Sequence, residues 1–170
     1  MNIERPIYLQ RLINRKHNGM IKIVTGMRRS GKSYLLNNLF TNHLLSAGVA
    51  PDHIISIDLE DIINKPLREP MAIISYIYQS TKDNQYHYLI IDEIQLLSEF
   101  EEVLNTLLKK QIYDVYVTGS NARFLSKDVI TTFRGRGDEV RVHPLNFAEY
   151  FSAQPSSPLI EPILNDYLRL

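Results

Sequence analysis

The chain has 170 residues, 44% of them hydrophobic, which is enough for one domain with a sizeable core and too few for two full ones. Its 19 basic and 19 acidic side chains cancel, so the totals require neither a nucleic-acid nor a membrane partner. Cysteine is absent, which removes disulfides, thiolate metal sites and a cysteine nucleophile together and fits a cytoplasmic protein.

Glu4, Arg5 and Arg11 interrupt the apolar N-terminus, unlike a signal peptide, and no run reaches membrane-spanning length. Ile3, Ile7, Leu9, Leu12 and Ile13 suit a short helix after Pro6 that covers one sheet edge and ends in the turn at Lys16 to Gly19. Met20 to Thr25 is a β-branched run that predicts a buried strand, and Tyr34 to Leu45 carries apolar residues at helical spacing, stopped by Gly48. A second strand is expected at His53 to Asp58. Pro66 and Pro70 open a helical piece whose buried stripe is Ile73, Ile74 and Ile77.

Leu89 to Ile91 is a continuous apolar run ending in Asp92 and Glu93, as in a strand buried on both faces. Ser98 and Glu101 form a capping-box pattern, and Phe100, Val103, Leu104, Leu107 and Leu108 then repeat at helical spacing before Lys109 and Lys110. Val115 to Thr118 predicts a fourth strand, closed by Gly119, Ser120 and Asn121. A short helix around Ala122 to Leu125, a polar stretch bearing Arg134 and Arg136, and a strand at Glu139 to Val142 follow. Asn146 and Glu149 cap a last helix carrying Phe147, Tyr150 and Phe151, and the prolines between Ser152 and Pro162 mark a linker. Strands alternating with helices predict an α/β fold of three layers, with a mostly parallel sheet between helices.

Between the first strand and its helix lies Gly26-Met27-Arg28-Arg29-Ser30-Gly31-Lys32-Ser33, which fits G-x-x-x-x-G-K-[ST] in strand–loop–helix context. Such a loop turns successive backbone N–H groups inward, and a side chain at Gly31 would crowd a phosphate there. Lys32 supplies an ammonium for the β and γ phosphates, the helix adds its positive end, and the Ser33 hydroxyl can ligate Mg²⁺. Arg28 and Arg29 lie within this nucleotide-binding loop and read as solvated loop charges or, as the alternative, phosphate ligands.

Whether a bound nucleotide is cleaved turns on the acids after the third strand. Asp92 at that strand's carboxyl end can hold the metal through its waters, and Glu93 can act as general base for water at the γ phosphate. Ser120 or Asn121, at the same sheet edge, can orient that water, while Asn121 can equally cap the next helix. Arg134 and Arg136 are candidates for an arginine finger or for simple solvation. The five histidines, at positions 17, 43, 53, 87 and 143, show no metal-ligand spacing and read as structural or surface residues. Tyr76, Tyr78, Tyr86 and Tyr88 read as packing groups.

GMRRSGKS, LIIDEIQ, VTGSNARFLS, FRGRG and HPLNFAEYF, in this order, resemble the prokaryotic AAA+ ATPases that couple a nucleotide-binding core to a C-terminal domain of unknown function. The likeness covers residues 3–151 and continues weakly to 168. It implies strand order 5-1-4-3-2, ATP and Mg²⁺ as ligands, and a Walker A loop from Gly26 to Ser33, with Tyr34 beside it. It also implies Asp92 and Glu93 as the Walker B acids, Ser120 or Asn121 as sensor 1, and Arg136 as part of the family's glycine-arginine motif. By that likeness residues 1–151 are the nucleotide-binding domain, and 152–170 are a linker and the start of a missing C-terminal domain. A core without its lid is expected to hydrolyse ATP weakly or not at all.

The first expectation is therefore a Mg²⁺-dependent ATPase driving a conformational switch or remodelling step, with assembly into a homo-oligomer and with protein or nucleic-acid partners reached through the further domain. A nucleotide-dependent binding module with little hydrolysis is the alternative. A P-loop small-molecule kinase is disfavoured by the acid pair, and a GTPase by the lack of an Asn-Lys-x-Asp motif.

Overall fold

A computed structural model of the chain describes residues 3–120, 133, 135–153 and 160–169. The order of elements is α1 (Pro6–Ile13), β1 (Ile21–Thr25), α2 (32–46), β2 (Ile54–Asp58), α3 (Pro70–Ser80), β3 (His87–Asp92), α4 (Phe100–Lys109), β4 (Tyr113–Gly119), β5 (Gly137–Arg141), α5 (Phe147–Ser152) and α6 (Ile160–Tyr167). All five strands are parallel, in the order β2-β3-β4-β1-β5. The fourth strand is thus inserted between the first and third, as the family resemblance implies.

Strand alternation divides the core in two. Ile21, Ile23, Leu89, Ile91, Val115 and Val117 pack on one face against Ile73 and Ile77 of α3 and Val103, Leu104 and Leu107 of α4. Val24, Ile90, Tyr116 and Val140 pack on the other against Leu12 of α1 and Leu35, Leu36, Phe40 and Leu44 of α2. The continuous burial of β1, β3 and β4 follows, because each is covered on both sides. Among the described residues no helix is long and apolar enough to cross a membrane.

Local chemistry explains several boundaries. Pro6 and Pro70 each open a helix at the position where a missing N–H costs nothing. The middle turns of α2, Leu35–Phe40, are wound as a π-helix, and the Thr41 hydroxyl donates to the Leu36 carbonyl at 3.0 Å. Asn146 and Glu149 form the capping box the sequence predicts at α5. The box expected from Ser98 and Glu101 does not form. Glu99 occupies the cap position of α4 with φ 49° and no side-chain cap bond, while the Ser98 N–H is engaged by the Arg68 carbonyl at 2.9 Å. The short helix expected around Ala122 lies outside the described residues, as does Arg134.

At the amino end of the sheet, even-numbered positions carry a buried polar group. The Lys22 ammonium is fully buried, hydrogen-bonded to the Asp114 carboxylate and to the Met20 carbonyl at 2.8 Å. Asp114 also accepts from the Tyr116 hydroxyl at 2.9 Å and the His17 N–H at 3.1 Å. Burial pushes Lys22 below the ordinary lysine range, and the Asp114 charge opposes that shift. Lys22→Met should therefore destabilise the fold by about 3–5 kcal/mol, because it strands a buried carboxylate. Urea unfolding checks this, and the Lys22→Met, Asp114→Asn double variant should recover a large part of the loss.

Candidate active site

β1 ends at Thr25, and the loop from Gly26 to Gly31 turns the chain into α2. Gly26 has φ 150°, and a Cβ built on it falls 2.2 Å from the Val142 carbonyl oxygen, so no other residue fits without displacing backbone. Gly31 caps α2 in the left-handed region, φ 88°, leaving Lys32 as the first helical residue. Arg29, with φ 63°, completes the tight turn.

Lys32 is 4% exposed, and its Nζ donates to the carbonyls of Gly26 at 3.2 Å and Met27 at 3.0 Å. Burial pushes the ammonium below the ordinary lysine range, while the charges of Glu93 and Asp92 nearby oppose the shift. Ser33 is exposed and Tyr34 half-buried on the same first turn. Met27, Arg28 and Arg29 stand in solvent at the rim, with Arg28 3.5 Å from Glu60.

β3 delivers the acids. Alternation along the strand puts Asp92 on the same face as Ile90, the face that α2 covers. Asp92 is 5% exposed and accepts from the hydroxyls of Thr118 and Ser33. Burial raises its pKa; those two hydrogen bonds oppose the rise, and the nearby charges of Glu93 and Asp58 add to it. Thr118 is used twice, since its oxygen also accepts the Glu93 N–H at 2.9 Å. Glu93 itself sits in the left-handed region, φ 54° and ψ 51°. Its Oε2 accepts from the Ser120 hydroxyl at 2.8 Å and from the Gln95 amide.

Lys32, Ser33, Asp92, Glu93 and Ser120 are therefore brought to one place. Asn121 lies outside the described residues. Arg136 does not join them within the chain. Its carbonyl accepts the Ile21 N–H at 2.8 Å, which places it beside the start of β1, whereas the glycine loop follows the end of β1. Its guanidinium donates to Asn105 at 3.1 Å. A cleft of about 520 Å³, lined by His17, Tyr86, Asp114 and Arg136 among others, opens at that far end and takes no part in the acid–lysine cluster.

Two positions beside the acids carry little signal in the sequence. Thr118 looked like one more β-branched strand residue, and its only signal was a hydroxyl on the same face as Asp92. Asp58 ends β2 in register with Asp92, an acid at a strand end whose neighbour only the topology reveals. The histidines show no metal-ligand spacing in the sequence, but the fold brings two of them together. His53, Asp83 and His87 offer ligand atoms within 4.8 Å of one another, because β2 and β3 start side by side. Both His87 nitrogens are already engaged, Nδ1 by the Gln85 carbonyl at 2.9 Å and Nε2 by the Lys82 N–H at 3.1 Å.

Comparison with known proteins agrees with this fold. Residues 18–151 match a family described as "AAA domain". The chain belongs to this family. An uncharacterized protein of Haemophilus influenzae is 32% identical over 97% of this chain and 42% of its own length, so the chain spans less than half of that relative. The AMPPCP-bound DnaA of Aquifex aeolicus shares the fold with a TM-score of 0.57 at 17% identity, over 94% of this chain and 53% of that one. Cdc6p of Pyrobaculum aerophilum does so with 0.54 at 16%, over 88% and 48%.

Gly26→Ala should cost at least about 2 kcal/mol in stability, since the methyl group meets a backbone oxygen that cannot swing away. Denaturant unfolding measures it, and nucleotide binding should be lost with it.

Proposed function

We propose that this AAA core binds ATP with Mg²⁺ at the acid–lysine cluster and hydrolyses it, the cycle driving a conformational switch or remodelling step in the intact protein. The convergence of Lys32 and Ser33 at the head of α2 with Asp92 and Glu93 at the end of β3 carries this proposal. Two further observations support it. The Ser30 hydroxyl is buried without a hydrogen-bond partner among the described residues, an orphan that a phosphate oxygen would satisfy. One lysine against the carboxylates of Asp58, Asp92 and Glu93 also leaves an excess of negative charge, which would repel a bare triphosphate and is offset by a divalent ion.

The donor set fits Mg²⁺: a hydroxyl oxygen from Ser33 and a carboxylate from Asp92 are the hard oxygen ligands the ion prefers. Bound there, it would neutralise charge on the β and γ phosphates. The chain supplies the rest. The loop from Gly26 to Gly31, with Tyr34 on the following turn, surrounds the phosphates. Lys32 exchanges two carbonyl acceptors for phosphate oxygens, which are better partners for an ammonium. Glu93 takes a proton from the attacking water as its oxygen bonds to the γ phosphorus and the bond to the bridging oxygen breaks. Ser120 holds the Glu93 carboxylate, and Asn121 is proposed beside it.

Arg136 can reach a nucleotide only on a second copy of the chain, so a finger role implies a homo-oligomer. Protein or nucleic-acid partners are proposed for parts of the intact protein beyond this core. One observation favours the binding module with slow turnover: both Ser120 and Gln95 hold the same oxygen of Glu93, a resting arrangement for a base.

Glu93→Gln in the intact protein should keep ATP binding and lower turnover by about 10²- to 10⁴-fold. Phosphate release assays decide this, and undiminished release would remove Glu93 as the base. Lys32→Ala should lose ATP binding, and chelation of Mg²⁺ should abolish turnover in the wild type.

A further inference from the structure

Arg5, one residue before α1, is as buried as any core side chain, 1% exposed, although it carries a full charge. All three nitrogens of its guanidinium donate. Nη1 donates to the Ser30 carbonyl at 2.6 Å, and Nη2 to the His143 carbonyl at 2.7 Å. Nε and Nη2 each reach a carboxylate oxygen of Glu149 at 3.3 Å. The Tyr8 ring lies beneath it, 4.5 Å from centroid to Cζ. One side chain thus joins the start of the chain, the glycine loop and the head of α5.

The bond to Ser30 has a consequence for the loop. In a trans, planar peptide the carbonyl of one residue and the N–H of the next point in opposite directions. None of the described peptide bonds is cis, so holding the Ser30 carbonyl toward Arg5 turns the Gly31 N–H to the other side of the loop, away from the guanidinium. A Cβ on Gly31 would lie 3.4 Å from Arg5 Nη1, so a side chain there meets the guanidinium first, and not, as the sequence suggested, a phosphate. Left free, this peptide can flip, because glycine at the following position tolerates either orientation.

The bond to Glu149 has a second consequence. Glu149 also belongs to the capping box of α5: its Oε2 accepts the Asn146 N–H at 3.0 Å, and its own N–H donates to Asn146 Oδ1 at 2.8 Å. From α5 the contacts run onward, since the Tyr167 hydroxyl of α6 donates to the Leu145 carbonyl at 2.9 Å and its ring packs on Phe147 and Tyr150. The head of α5 is therefore linked through one guanidinium to one peptide of the loop.

We infer that Arg5 is a positioning residue for phosphate: it locks the Ser30–Gly31 peptide with its N–H toward the anion, and through Glu149 it ties that orientation to α5 and the chain beyond. This rests on the loop binding a nucleotide phosphate, as proposed above. Because coupling of this kind is reciprocal, phosphate at the loop and the placement of α5 favour one another. Sequence reasoning had no access to this. An arginine in an amphipathic N-terminal segment looks like a surface charge, and its partners lie 25, 138 and 144 residues away.

The test uses the intact protein and measures ATP affinity, turnover at saturating ATP, and the unfolding midpoint without nucleotide. Arg5→Lys keeps the charge but cannot serve the Ser30 carbonyl and both Glu149 oxygens together. It should weaken ATP binding by about tenfold or more while leaving kcat at saturation close to wild type, the signature of binding lost equally from the ground and transition states. Glu149→Gln retains the capping box, for which glutamine suffices, but removes the charged partner of Arg5. It should also weaken ATP binding, and the Arg5→Lys, Glu149→Gln double variant should be no weaker than Arg5→Lys alone. Asn146→Ala breaks the cap only, and should lower the unfolding midpoint without the affinity loss. Wild-type ATP affinity in Arg5→Lys and Glu149→Gln would overturn the inference. So would an equal affinity loss in Asn146→Ala, which would reduce the effect to helix stability. If Arg5→Lys does not fold, Glu149→Gln alone decides. Failure of wild-type protein to bind ATP, or unchanged binding in Lys32→Ala, would instead overturn the nucleotide site itself.

Discussion

Everything at the site depends on the parallel register that brings the carboxyl ends of four strands to one edge of the sheet. Thr25 lies opposite Gly119, Ile91 opposite Val117 and Asp58 opposite Asp92. Alternation then selects which side chains face the helix that follows the glycine loop. Asp92 and Thr118 fall on the face covered by α2, whose first residues are Lys32 and Ser33. A one-residue slip of β3 against β4 would turn Asp92 to the α3–α4 side and dissolve the cluster. The apolar core is therefore what aims the acids, since Ile90, Ile91 and their neighbours are buried on both faces and permit only this register.

The site holds itself in a charged and partly strained state. Lys32 is desolvated with two carbonyls as acceptors, Asp92 is desolvated with two hydroxyl donors, and Glu93 occupies a left-handed conformation that costs an ordinary residue about 1 kcal/mol. Thr118 compensates part of this by donating to Asp92 while accepting from the Glu93 N–H, so one hydroxyl fixes both acids. Arg5 performs the same service behind the glycine loop.

Local chemistry made much of this legible in the sequence. The glycine loop between a β-branched strand and an apolar helix, the acid pair after a buried strand, and the box at Asn146 and Glu149 all announce themselves within a few residues. The strand order did not follow from periodicity and came from the family resemblance. What stayed hidden depends on contacts between distant segments: the double use of Thr118, the approach of Asp58, the pairing of His53 with His87, and Arg5. Ser98 and Glu101 show the opposite failure, a correct local pattern overridden by the left-handed turn at Glu99. Arg136 shows a third kind, where a motif's position along the strand, at its start rather than its end, removes it from the site within one chain.

The central claim is that the ammonium of Lys32 and the acids closing β3 serve one metal-bound triphosphate. A crystal structure of the intact protein with Mg²⁺ and a non-hydrolysable ATP analogue tests it most directly. The account predicts that Lys32 leaves the carbonyls of Gly26 and Met27 for phosphate oxygens, with the ion between Ser33 and Asp92 and the γ phosphate facing Glu93. An analogue seated elsewhere, with Lys32 still bound to those carbonyls, would contradict it.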